Sequence, residues 1–334
     1  MKFIFITYLL ILSCFYLTDA QEQQNRKFYI KAGGAYFIKV TPVEFPAIGG
    51  QPARDRIFNI IPGNPPTQQT VSESTITGSF GEGWRFGITP GYRFSNILGI
   101  EVGINYYQSR SQDMMRQQGY MEGSEVLQLH SSAKAKAFDV APALVVHIPN
   151  HTALKPYTKV GLIIPVGGYM ESITTVNDLT GSVAQSMNLL PTDLPPNAIM
   201  ILTDVNRVDH VKANPTVGFQ SAIGFDWAIH NQWSLYVELE YRNISVGSRK
   251  KDLDQLSGEY TIVNNGQPIA NGSLSTETAS ESSKQVYYHK TITEHDNVAG
   301  ADGFDPNKPA DDLTSYVNIG GLGINLGVKM AFGN

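Results

Sequence analysis

The chain has 334 residues, a formal net charge of −5, 7 histidines and a single cysteine. Only 16% of its residues are charged and no basic block occurs, so a nucleic-acid partner has no electrostatic footprint here. Beyond residue 20 no apolar run approaches the roughly 20 residues of a spanning helix, which excludes a helical membrane protein.

The first twenty residues read as a targeting segment. Lys2 supplies a basic start, Phe3 to Leu17 an apolar run, and Thr18-Asp19-Ala20 a small residue at the cut point. This predicts a signal peptide over 1–20, cleaved before Gln21, with one domain over 21–334. The run is too short for a retained anchor. Cys14 lies inside it. Ile11-Leu12-Ser13-Cys14 matches a lipoprotein cleavage box only in part, because Leu12 is bulky and apolar sequence continues past the cysteine. The mature chain is therefore expected to carry no thiol, no disulfide and no thiolate metal site.

Strand signals follow, each with a period of two. The first sets Phe28, Ile30, Ala32, Tyr36, Ile38 and Val40 against Tyr29, Lys31, Gly33 and Lys39. Residues 51–77 are rich in Pro, Gln and Thr and are expected to be irregular. The second strand alternates Trp84, Phe86, Ile88, Pro90, Tyr92 and Phe94 with Arg85, Gly87, Gly91 and Arg93; after a turn at Ser95-Asn96, the third alternates Leu98, Ile100, Val102, Ile104 and Tyr106 with Glu101 and Asn105. The fourth carries Phe138, Val140, Leu144, Val146 and Ile148 against Asp139, Ala141, Ala143 and His147. A turn at Pro149-Asn150-His151 leads to the fifth, with Val160, Leu162, Ile164 and Val166 against Lys159, Gly161 and Ile163. Pro90, Pro142 and Pro165 lack a ladder donor and predict local bulges or irregular pairing. The sixth, over Thr216 to Trp227, and the seventh, over Trp233 to Arg242, flank a turn at His230-Asn231-Gln232; the eighth runs from Gly321 to Phe332.

Eight strands of at least ~9 residues satisfy the length of a tilted membrane-crossing strand. Tight turns join strands two to three, four to five and six to seven. The other connections are long, at roughly residues 41–80, 111–132, 171–213 and 248–315. Tight turns at one end and long loops at the other fit an outer-membrane barrel, in which the turns face the periplasm. A soluble barrel would place the same apolar face inward. Two features favour the membrane reading. The polar face mixes glycine with charges of both signs, which suits a narrow interior. The apolar face carries aromatics near strand ends, at Tyr36, Trp84, Tyr92, Phe94, Tyr106, Trp227, Trp233 and Tyr241, as in an interfacial girdle.

The last word of the chain, Asn325-Leu326-Gly327-Val328-Lys329-Met330-Ala331-Phe332, is polar-x-Gly-x-x-apolar-x-aromatic. With the strands before it, it resembles the OmpA-like small outer-membrane β-barrel superfamily, in particular the outer membrane protein β-barrel domain proteins of Bacteroidetes. The resemblance implies an all-β fold, an eight-stranded antiparallel up-and-down transmembrane β-barrel with four long extracellular loops, located in the cell outer membrane. It implies that Asn325, Gly327, Met330 and Phe332 form the signal read by the barrel assembly machinery. Gly333 and Asn334 after the aromatic depart slightly from the pattern. The peptidoglycan-binding activity of OmpA itself is not expected to carry over.

The charges of the polar faces, Lys31, Arg85, Arg93, Glu101, Asp139, Lys159, Asp226, Glu238, Glu240, Arg242 and Lys329, are expected to form an ion-pair network that fills the lumen. Glu238, Glu240 and Arg242 are expected to contact basic residues of neighbouring strands. Catalysis in such barrels needs a Ser–His pair near the outer leaflet. His130, His147, His151, His210, His230, His289 and His295 fall in turns or loop margins, so no enzyme is expected. Asp296, Asp302, Asp305, Asp311 and Asp312 cluster in the fourth loop without matching a calcium-loop template, and no metal or cofactor is expected. Asn265-Gly266 predicts a hairpin turn and Val286 to His289 a strand above the membrane.

The expected role is structural or surface-interacting, through the loops. A narrow channel for small or apolar solutes is the alternative, and a soluble secreted ligand-binding barrel the third reading. Expected partners are outer-membrane lipid and lipopolysaccharide, the assembly machinery during insertion, and an extracellular partner of the loops.

Overall fold

The computed structural model describes residues 27–40, 42–45, 52–63, 67–149, 152–186, 189, 195, 198–214 and 216–332. The predicted signal peptide with Cys14, the turn residues Asn150 and His151, and Gly333 and Asn334 lie outside the described residues.

Eight strands close into one barrel: β1 Phe28–Lys39, β2 Gly83–Arg93, β3 Leu98–Ser109, β4 Ser124–His147, β5 Leu154–Asp178, β6 Gly218–His230, β7 Trp233–Asn243 and β8 Gly321–Phe332. Each pairs antiparallel with the next, and β8 returns to β1 in unbroken register from Phe28↔Phe332 to Lys39↔Gly321. Alternation decides which side faces where. Trp84, Phe86 and Ile88 are each 56% exposed on the outside, while Tyr29, Lys31, Glu101, Asp139, Glu238 and Glu240 are buried inside. A greasy exterior around a charged interior is the polarity of a membrane barrel and the reverse of a soluble one.

The eight girdle aromatics all lie on this outward face, in two groups. Tyr92, Phe94, Trp227 and Trp233 lie near the turn end; Tyr36, Trp84, Tyr106 and Tyr241 lie near the loop end. Trp84 and Tyr92 are eight residues apart on β2, about 27 Å along an extended strand. Strand tilt shortens that rise to roughly the height of the apolar band.

The prolines act where expected. Pairing between β2 and β3 lapses around Pro90, and pairing between β4 and β5 lapses opposite Pro142. Between Pro165 and Gly167 the register itself shifts. That extra residue swaps the faces of β5: Tyr157, Lys159 and Ile163 point inward below it, Thr174, Val176 and Asp178 above it.

The connections differ from expectation. β4 and β5 do not stop at the barrel rim but run 24 and 25 residues into a crown of strands. Along β4 the same parity stays inside, yet its chemistry inverts. Asp139 and His147 face the lumen below, whereas Leu127, Leu129, Ala133 and Ala135 are buried above, with Gln128, Lys134 and Lys136 outward. The crown is thus built as a water-soluble sheet continued from a membrane wall. Segments Gln112–Met121, Ala198–Asn214, Ser245–Asn264, Gln267–Ser275 and Gln285–His289 complete it, with short helices α1 Ser182–Ser186 and α2 Glu281–Lys284. Phe58, Met115, Leu129, Met200 and Leu202 pack in its core.

Residues 51–77, expected to be irregular, contain a hairpin, Arg54–Ile61 with Thr67–Thr75. Its first strand buries Phe58 and Ile60 and docks parallel on Gln112–Met121, so tertiary packing outweighs the polar composition of its partner. Asn265 (φ 50) and Gly266 (φ 77) form the expected two-residue turn, and both lie in the left-handed region such a turn requires. Val286 to His289 falls in the strand Gln285–His289.

Candidate functional site

Inside the barrel the charged side chains converge from non-adjacent strands. Lys31 on β1 lies 2.6 Å from Glu101 on β3 and 3.2 Å from Glu238 on β7. Glu238 also accepts from Lys159 at 2.8 Å, Tyr157 at 2.8 Å and Asn325 at 3.0 Å. Arg85 pairs with Glu240 through both carboxylate oxygens, and Lys329 pairs with Asp226. Arg242 meets Asp139 at 2.7 Å, and Asn105 caps the same carboxylate at 2.8 Å. The free space among these groups is about 20 Å³, room for about one water.

Two expectations need correction. The sequence reading gives Glu238, Glu240 and Arg242 basic partners on neighbouring strands. Glu238 and Glu240 find theirs across the lumen, and Arg242 finds an acidic one, Asp139. In so narrow a barrel inward side chains point at the axis, so long ones meet from opposite walls. Arg93 forms no salt bridge among the described residues, and its buried Nε has no acceptor. It is only half-buried at the turn end, where water can serve its outer nitrogens. Tyr29 and Tyr157 complete the network; they share the inward parity of the charged residues, which is the signal that places them there.

At the closure of the barrel, Asn325 and Lys329 of the terminal word point into the lumen, while Phe332 points outward and lies 6.4 Å, ring to ring, from Phe28. Met330 pairs with Ile30 and is half-buried. Gly327 lies opposite Gly33, and the Tyr236 ring covers both; a Cβ on Gly327 would lie 2.7 Å from Gly33 Cα and from Tyr236 Cε1.

Above the lumen the crown encloses a cavity of about 1300 Å³. Phe80, Met114, Met115 and Leu129 are among its apolar lining; Arg207, Asp209, Lys251, Ser283 and Tyr288 are among its polar lining. Its floor reaches the wall at Pro165, Val166, Gly167 and Gly168. There the wall has a seam. The ladder from β5 to β6 ends at Ile163↔Gly218 and restarts, to Ala198–Asn214, at Tyr169↔Lys212. Ile164, Val166 and Val217, all exposed, rim this interval. None of these cavity residues stands out in the sequence, because an enclosure made by separate loop strands leaves no local pattern.

The fourth-loop aspartates do not act as a unit. Asp296 and Asp311 approach His289, with ligand atoms within 4.8 Å of one another; Asp302, Asp305 and Asp312 are not part of that group. Both close carboxylates already accept protein donors: Asp311 from His289 at 2.7 Å and Asn297 at 2.8 Å, Asp296 from Thr293 at 2.6 Å.

The family model described as "Outer membrane protein beta-barrel domain" matches residues 7–266. Similar solved structures include the outer membrane protein OprG from Pseudomonas aeruginosa, at 11% identity and a TM-score of 0.37, covering 93% of this chain and 99% of that one. Outer Membrane Protein W of E. coli follows at 10% identity and 0.28, over 92% and 98% of the two chains. A major outer membrane protein from Thermus thermophilus has 12% identity and 0.29, over 92% and 100%. No curated protein matches the chain.

Proposed function

The chain belongs to the outer membrane protein β-barrel domain family and resides in the outer membrane, and from that premise we propose that it is a surface-binding protein: a closed barrel anchors an extracellular crown whose cavity captures a small, largely apolar molecule. One observation carries this reading, the contrast between a crown cavity of about 1300 Å³ and a pocket of about 20 Å³ among the lumen charges. The first can enclose a small-molecule ligand. The second lies within a plug of ion pairs. Binding rather than catalysis is supported by the crown histidines, which engage carboxylates: His130 with Asp113, His210 with Glu171 and Asp254, His289 with Asp311. The finer family placement, an OmpA-like barrel of the Bacteroidetes type, rests on the terminal word, as does recognition by the assembly machinery.

A second reading follows from the seam. A molecule in the cavity meets a plugged axis below, so its open route is sideways, past Pro165 to Gly168, into lipid. The protein then serves as a narrow channel for apolar solutes. The binding reading is tested with the neutral fluorophore N-phenyl-1-naphthylamine and protein in lipid nanodiscs. Saturable fluorescence above empty nanodiscs, lost in Ser172→Trp, which fills the cavity, supports it; identical signals from both proteins refute it. Faster transfer of the dye into the bilayer by wild type than by Ser172→Trp supports lateral passage.

A further inference from the structure

We infer that the crown cavity is built for an amphipathic anion, an apolar chain ending in a carboxylate, with Lys251 as the partner of the charge. The inference rests on the proposed binding role of the cavity and names its ligand class.

The cavity lining is mixed. Met114, Met115, Phe80 and Leu129 belong to its apolar part, together with the less buried Met170, Val211, Val246 and Ile319. Thioethers adapt to irregular apolar chains. In the polar part the obvious cation, Arg207, is fully engaged. Its Nε and Nη2 donate to Asp209 at 2.7 and 2.9 Å, its Nη1 to Ser283 Oγ at 2.8 Å, and its Nη2 also to the Ser283 carbonyl at 2.7 Å. Arg207 and Asp209 thus cancel as a closed pair.

Lys251 is left over. It pairs in register with Val211 and Val286, on the inward face of its strand, whereas Lys250 on the outward face bonds Asp252 at 2.8 Å. Among the described residues the Lys251 ammonium has no hydrogen bond and no salt bridge, although it lines the cavity. The carboxylates nearest it in effect are Asp209, already occupied by Arg207, and Asp312, which is exposed at the lip and accepts from the Leu313 amide at 2.7 Å. Burial, outweighing the attraction of Asp209, pulls the Lys251 pKa below its ordinary value. The half-buried ammonium thus lines the cavity with no counter-charge of its own. An incoming carboxylate supplies it through a charge-assisted hydrogen bond. A neutral apolar solute leaves the ammonium as it was. Charge complementarity thus selects the anion from among molecules the apolar part accepts.

The test is calorimetric titration of the full protein in lipid nanodiscs with dodecanoate and with dodecanol, each corrected against empty nanodiscs. Wild type is expected to bind dodecanoate saturably and at least about 10-fold tighter than dodecanol, the step that corresponds to roughly 1.4 kcal/mol. Lys251→Met should abolish the preference for dodecanoate over dodecanol, while Lys251→Arg keeps it. Equal affinity for the two probes in wild type sinks the anion inference and leaves the binding role standing; no saturable binding of either removes both. Persistence of the preference in Lys251→Met removes Lys251 from the argument. Should Lys251→Met fail to fold, shown by loss of heat-modifiable migration, wild type and Lys251→Arg decide: a preference in both supports the inference, its absence in either overturns it.

Discussion

Arg85 and Glu240 face each other across the lumen from strands that share no ladder, and the guanidinium meets the carboxylate through two parallel hydrogen bonds. Both side chains are almost wholly buried. Removing one partner leaves an uncompensated charge where water has little access. Glu240→Ala is expected to lower the unfolding free energy by about 3–5 kcal/mol, while Arg85→Met combined with Glu240→Leu costs much less than either single change. Urea unfolding in lipid vesicles, followed by tryptophan fluorescence, checks both.

The proposed plug predicts an electrical result. Wild type in planar bilayers should hold the bare-membrane baseline, because Lys31, Glu101, Lys159 and Glu238 interlock across the axis. Replacing Lys31, Lys159 and Glu238 together by Ala should produce discrete conductance steps. Steps of similar size in wild type would refute the plug.

The closure is predicted to be intolerant of bulk. Gly327 and Gly33 are opposite one another under Tyr236. Gly327→Val is expected to destabilise the barrel by about 1–3 kcal/mol through overpacking, and Tyr236→Ala in the same chain to recover part of the loss. Folded and unfolded bands on unheated gels measure it.

The crown should loosen in acid. Burial works against the Glu171 charge, but hydrogen bonds from Lys134 and Lys136 hold its carboxyl below the ordinary value. Asp209 is likewise buried and likewise held down, by Arg207. A depressed folded pKa stabilises fully above the unfolded value and loses that contribution as pH falls through the folded one. Amide exchange over 130–136 and 169–175, corrected for intrinsic rates, should therefore quicken between about pH 5 and about pH 3. Unchanged protection across that window would contradict the assignment.

The barrel was legible because lipid imposes a rule on every second residue. Trp84, Phe86 and Ile88 had to alternate with Arg85 and Gly87, and the same rule put the charged residues on the inward face. Pairings were less legible, since parity names a face but not the wall opposite; Glu238 meeting Lys31 is a fact of diameter. The crown was least legible. Above the membrane β4 keeps its period while its inner chemistry turns apolar, so Leu127 and Leu129 no longer look like the strand that holds Asp139. Polar stretches such as Thr67–Thr75 form strands only because a neighbour offers an edge. The cavity, assembled from β4, β5 and many separate loop segments, has no expression in any single stretch of chain.

The inward placement of Lys329 and Asn325 has an effect on how the barrel finishes forming. Sliding β8 by one residue would turn both toward hydrocarbon and push Leu326 and Val328 among the lumen carboxylates. Only a shift that also displaced Gly327 from beneath Tyr236 could restore the parity. The final strand thus carries its own ruler.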